Sequence, residues 1–136
     1  MTIATLGVVV GLAVWVGVVM AAGAVMRGAW PAYALVADAM TFTLPMMIAR
    51  LTIGASATLV MGFTTAMLAR GSIVPSVLSG VLLLLAFIPQ HMMLWEKFPV
   101  WYHLTFLASL VPLTVAGATL RTRSPWLRSA TKSVTW

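Results

Sequence analysis

The sequence predicts an all-α integral membrane protein, a compact bundle of four transmembrane helices with one additional helical segment. Two observations indicate this class: 62% of the 136 residues are hydrophobic and only 7% are charged, which gives a mean hydropathy of +1.06. Soluble domains carry roughly 25% charged residues. A single membrane domain is therefore expected over residues 1–120, followed by a basic tail over residues 121–136.

The predicted spans are apolar runs that end at charged residues or at short turns. A membrane helix needs about 20 apolar residues, and four stretches of the chain reach that length. The turn between the third and fourth stretches contains Glu96 and Lys97. Because the turns among the last three spans are short, these spans are expected to be antiparallel neighbours. The predicted spans are residues 3–26, 51–69, 73–95 and 99–120.

The segment over residues 29–49 has two interpretations. It is almost long enough to cross a bilayer, but it carries Asp38 near its middle and Pro45 further on. An Asp at the centre of a membrane helix costs roughly 2.5–3.5 kcal/mol on insertion scales. We therefore expect an interfacial or re-entrant helix between the first and second spans. A fifth span is the alternative.

Lysine and arginine are concentrated at one end of the predicted bundle. Five of the eight lie on the side of the C-terminal tail and give it a net charge of +5. The opposite side has three basic residues and both acids, Asp38 and Glu96, so its net charge is 3 − 2 = +1. The positive-inside rule then places both termini in the cytoplasm. We expect a multi-pass protein of the cell (inner) membrane that contacts lipid and does not bind nucleic acid.

Aromatic residues collect at the predicted boundary opposite the tail. Trp and Tyr are enriched at membrane interfaces because their rings are amphipathic, so anchoring is the expected role. Trp15 differs, because it lies near the middle of the first span and is expected to pack against lipid or a neighbouring helix. The predicted belt consists of Trp30, Tyr33, Trp95, Phe98, Trp101 and Tyr102.

Small residues recur at four-residue spacing in the first two spans. Such stripes let helix backbones approach closely, which stabilises helix pairs in lipid. The first span has small residues on two opposite faces, more than a peripheral helix of a four-helix bundle needs. The glycines predicted to pack helices are Gly7, Gly11 and Gly17 in the first span and Gly54 and Gly62 in the second.

One cluster of residues has the chemistry of a metal site. Both histidines of the chain belong to it, since His91 lies near the end of the third span and His103 near the start of the fourth. Imidazole and thioether together are ligands of Cu(I), and two imidazoles can hold a haem iron. The candidate metal ligands are His91, Met92, Met93 and His103, with Asp38 and Glu96 as polar groups on the same side.

Three functions are compatible with these patterns, and none is enzymatic, because no catalytic arrangement is recognisable. The leading hypothesis is a subunit of a membrane assembly or homo-oligomer that acts through helix contacts and needs no cofactor. The first alternative is a small transporter or channel with a cavity open to the outer face, since Pro89 and Pro112 should bend their helices. The second is the copper or haem site, whose residues are also compatible with a polar site for lipid or quinone.

Overall fold

The computed structural model describes residues 2–124, and all of its regular structure is helical. Four of the five helices are long and apolar enough to cross a membrane, which indicates a multi-pass membrane protein. From position 125 onward the predicted basic tail lies outside the described residues. The helices are α1 Ile3–Ala29, α2 Pro31–Val36, α3 Leu44–Leu68, α4 Val74–Met93 and α5 Val100–Arg123.

The start of α3 corrects the predicted extent of the segment over residues 29–49. The helix begins at Leu44, before the predicted span, and Pro45 lies in its first turn. Proline suits that position because its ring presets a helical φ and the first N–H groups of a helix have no partner within it. What remains of the segment holds the six-residue α2. A helix of that length spans about 9 Å, so no fifth span forms.

The third helix is the centre of the bundle and packs against α1, α4 and α5. Its stripe of small side chains is buried, as the sequence predicted, with Thr58 and Ala66 completely inaccessible. We call the end of the bundle that holds His91 and His103 the histidine end. The opposite end, where α3 and α5 finish, is the tail end.

The backbones of α3 and α5 touch in the half of the bundle nearer the tail end. A Cβ atom at Gly62 would overlap the Thr114 carbonyl, and one at Gly117 would overlap the Leu59 carbonyl. The Ser76 hydroxyl on α4 donates a hydrogen bond of 3.1 Å to the Gly62 carbonyl oxygen. This half of the bundle is therefore closed by direct contact of three helices.

The first helix is the least covered of the four long helices. Only 17% of an apolar 18-residue stretch of this helix is buried, compared with 28–39% of the corresponding stretches in the other three. Gly7 and Gly11 pack against Thr65 on α3, whereas a Cβ at Gly17 would meet nothing within 4 Å. One of the two predicted small-residue faces therefore packs inside the chain, and the face with Gly17 does not.

Candidate functional site

A cavity of about 240 Å³ lies between the long helices at the histidine end. Trp15, Phe87 and Phe106 line it with aromatic rings, and Trp15 and Phe87 meet edge to face with centroids 5.2 Å apart. The Trp15 ring is held in place because its Nε1–H donates to the Thr58 hydroxyl at 3.1 Å. The middle of α1 thus packs against neighbouring helices, one of the two environments predicted for Trp15.

The wall of the cavity includes residues of α1 and α4, one of which is exposed. Gly23 on α1 lines it, and a Cβ at that position would meet nothing within 4 Å. Gln90 on α4 also lines the cavity and is exposed at the bundle surface. An apolar chain could therefore extend from the cavity between these two helices.

Arg50 is the charged group of the cavity wall. Its Nη1 donates a hydrogen bond of 2.8 Å to the Tyr33 hydroxyl, and its Nε donates one of 3.4 Å to the Tyr102 hydroxyl. Its guanidinium carbon also lies 4.6 Å from the centroid of the Phe42 ring, a cation–π distance. The guanidinium thus links α2, the loop before α3, and α5.

No carboxylate in residues 2–124 forms an ion pair with Arg50. The chain has two acidic side chains. Asp38 pairs with Arg27 at 3.0 Å on the surface, and Glu96 is exposed in the turn after α4. Arg50 is therefore a partly buried cation whose described partners are all neutral. Asp38 and Glu96, predicted as polar groups beside the histidines, make no hydrogen bond to either ring in the described chain.

The segment that carries Tyr33 forms one side of the site. Pro31 begins α2, and Tyr33, Ala37 and Met46 form a small buried cluster that fixes α2 against the start of α3. Tyr33 stacks on Phe42 with ring centroids 5.1 Å apart. This packing holds the Tyr33 hydroxyl toward Arg50.

The residues of the predicted aromatic belt differ in exposure. Trp95 and Trp101 are 45% and 41% exposed, as anchoring residues would be. Tyr33, Phe98 and Tyr102 are instead 3%, 8% and 6% exposed. They are buried because residues 30–43 fold back over the start of α5, which brings these rings into stacks with one another through Phe42.

The two histidines are in direct contact. Their Nδ1 atoms lie 2.7 Å apart, and both rings are buried. Aromatic rings surround the pair: His91 stacks on Phe106 with centroids 4.8 Å apart, and His103 stacks on Trp95 with centroids 4.7 Å apart.

The hydrogen bonds of His103 show which of the two rings carries the hydrogen that lies between them. His103 Nε2 lies 3.3 Å from the Trp95 carbonyl oxygen, which can only accept, so Nε2 carries a hydrogen. In a neutral His103 ring, Nδ1 is then an acceptor, and the hydrogen between the rings belongs to His91 Nδ1. His91 Nε2 consequently keeps a lone pair.

This arrangement fits a shared proton better than a metal ion. A metal such as zinc binds imidazole nitrogen at about 2.0–2.1 Å, so an ion between the two Nδ1 atoms needs them farther apart than 2.7 Å. Met92 and Met93 are 69% and 86% exposed, and no group of three or more His, Cys, Asp or Glu residues within residues 2–124 could hold a metal. The copper or haem site stays a prediction that the geometry of these side chains does not favour.

A second, smaller cavity of about 70 Å³ joins the histidine pair to Arg50. His91, His103, Arg50 and Tyr102 all line it, together with Phe87, which also lines the larger cavity. The histidines and the arginine thus line one small cavity at this end of the bundle.

Sequence reasoning misses Arg50, Tyr33 and Tyr102 as site residues. It makes Arg50 the charged boundary of a span, because the helix is expected to begin after it. The signal that could have found it is Pro45, since a proline in the first turn places Arg50 inside the helix. The inward direction of the tyrosines depends on how residues 30–43 fold, which the sequence pattern does not specify.

Comparisons with protein-family models, with curated proteins and with solved structures find no match for this chain.

Proposed function

We propose that the chain is a membrane-spanning binding protein that holds a small amphiphile in the cavity at the histidine end. We place it in the cell (inner) membrane. The distribution of lysine and arginine puts the C-terminus on the cytoplasmic side and the histidine end at the outer face. Such binding serves transport or retention, and neither requires catalysis. The observation that carries the proposal is Arg50, a partly buried cation without a carboxylate partner in the described chain, on the wall of a largely apolar cavity.

Two glycines of α1 give a matched pair of variants that tests this proposal. A Cβ atom at Gly17 or at Gly23 would meet nothing within 4 Å, so leucine can be introduced at either position without a clash at its Cβ. Only Gly23 lines the cavity. Gly23→Leu should therefore abolish most ligand binding, and Gly17→Leu should leave it unchanged.

The measurement is equilibrium binding of dodecanol and dodecanoate to the protein in nanodiscs of neutral lipid, corrected for protein-free nanodiscs. Protein-dependent binding of at least one probe that Gly23→Leu removes and Gly17→Leu preserves would support a binding cavity. The binding cavity would be contradicted if neither probe showed protein-dependent binding, or if the two variants bound the probes equally.

A second candidate function is a subunit of a membrane assembly, acting through the uncovered face of α1. The specific observation in its favour is that Gly17 is exposed and contacts nothing in the described chain, while Gly7 and Gly11 on the other face are packed. A small residue lets a partner helix approach closely. The partner is a second copy of this chain or another membrane protein.

The same variant at Gly17 tests this second candidate. Leucine at that position would hold a partner helix away, so Gly17→Leu should shift an oligomer toward monomer in mild detergent, whereas Gly23→Leu should shift it less. Cross-linking in native membranes followed by size analysis measures the distribution. A wild-type chain that is monomeric and uncross-linked under these conditions would exclude self-association.

A further inference from the structure

We infer that the ligand of the cavity carries an oxyanion headgroup, a carboxylate or a phosphate, on an apolar tail. Arg50, Tyr33 and Tyr102 are the residues that would bind this headgroup. The inference rests on the proposed binding function and adds the chemical class of the ligand. It is carried by the charge, the hydrogen-bonding capacity and the shape of the cavity.

The charge of the cavity favours an anion. Arg50 contributes one positive charge, and the two acids of the chain lie elsewhere, one paired with Arg27 and the other exposed. Burial of an arginine without a counter-charge is costly, and the cost is reduced when an anion binds beside it. A neutral ligand would leave that charge uncompensated.

The hydrogen-bonding groups of the cavity are mostly donors. Of the five N–H groups of a guanidinium, Arg50 directs two toward the tyrosine hydroxyls, which leaves three without a hydrogen bond in the described chain. Both tyrosines accept from Arg50, so their own O–H groups are available to donate. The complementary group has several acceptor atoms and no donor, as an ionised carboxylate or a fully ionised phosphate does.

The shape of the cavity favours an amphiphile over a free inorganic anion. Aromatic and aliphatic side chains form most of the lining away from Arg50, with Trp15 and Phe106 among them. A volume of about 240 Å³ holds a headgroup and several methylenes, since an apolar cavity of about 150 Å³ holds benzene. The remainder of a longer tail would leave the cavity past Gln90, an exposed residue of its lining.

The test compares three probes that share a dodecyl chain: dodecanoate, dodecyl phosphate and dodecanol, each measured against the protein in neutral nanodiscs. At least one anion should bind about tenfold more tightly than the alcohol, the difference expected for a charge-assisted hydrogen bond. Preference for dodecanoate would identify a fatty-acid type of headgroup, and preference for dodecyl phosphate a lipid-phosphate type. Arg50→Gln should bring the anions to the affinity of dodecanol, and Arg50→Lys should keep part of the preference.

The outcomes separate the ligand class from the binding function. If dodecanol binds the wild type as tightly as both anions, the oxyanion inference is overturned and the binding cavity stands. If no probe shows protein-dependent binding, the binding function itself fails. Should Arg50→Gln not fold, Tyr102→Phe replaces it: loss of one hydroxyl should weaken anion binding and leave dodecanol binding unchanged, and an equal loss for both would overturn the inference.

Discussion

His103 uses both nitrogens of a completely buried ring, one toward His91 and one toward the Trp95 carbonyl. The Nδ1–Nδ1 contact requires that one nitrogen carry a hydrogen and the other a lone pair. A proton added at His103 Nδ1 would set two N–H groups against each other and remove the bond, whereas one added at His91 Nε2 would leave it in place. Together the two rings therefore hold one proton between them and connect the end of α4 to the start of α5.

Replacing either histidine with phenylalanine should show this asymmetry. His103→Phe removes two hydrogen bonds and leaves His91 Nδ1–H unpaired, so it should lower the free energy of unfolding by about 1–3 kcal/mol. His91→Phe removes one bond and keeps an aromatic ring against Phe106, so its cost should be smaller. Reversible unfolding in mixed detergent and SDS, followed by circular dichroism, measures both. Equal costs would mean that the hydrogen bond to the Trp95 carbonyl contributes little.

The individual residues of the site were predictable to different degrees. The sequence placed His91 and His103 within reach of each other, because each lies a few residues from the same turn. It did not indicate which of their nitrogens would face each other, and it suggested Met92 and Met93 as ligands although both side chains are exposed. The direction of a side chain near a helix end depends on the residue at which the helix stops. The length of the turn alone does not determine that residue.

At the scale of helices, the backbones of α3 and α5 are in direct contact. Gly62 lies against the backbone of Thr114, so a larger residue there must push the two helices apart. Gly62→Ala should lower the free energy of unfolding by about 1–3 kcal/mol, the usual cost of overpacking. Gly17→Ala is the matched control on a helix surface: it should be neutral or stabilising by up to about 1 kcal/mol, since alanine favours the helix. The same SDS titration compares them, and equal effects would show that the Gly62 contact is not tight in the membrane.

The helices themselves were largely predictable, because apolar length alone identifies four of them, and the stripe on α3 identifies its buried face. The start of α3 was not predictable in this way, since hydropathy places the boundary of the span at Arg50 and gives no weight to Pro45. The same error hid the site: a helix that begins at Leu44 carries Arg50 about 9 Å along its axis, at 1.5 Å per residue, which is deep enough to reach the cavity.

At the scale of the whole molecule, the proposed orientation can be tested with single cysteines, because the chain has none of its own. Asp38→Cys and Glu96→Cys replace exposed residues at the histidine end. Both should react with an impermeant maleimide added to intact cells, whereas Ala130→Cys in the tail should react only after the membrane is permeabilised. Labelling of position 130 in intact cells would reverse the orientation, and opposite behaviour of positions 38 and 96 would contradict the four-span arrangement.

The closed contact around Gly62 has a consequence for how any occupant enters and leaves. The three helices that meet there close the tail side of the bundle, so an occupant of the cavity would have to enter and leave at the histidine end. Continuous flow through the bundle, as in a channel, would require α3 and α5 to separate along their whole tail half. A carrier would need the same separation once per cycle. Under the proposed function, the fold would therefore favour capture and residence of an occupant over its passage through the bundle.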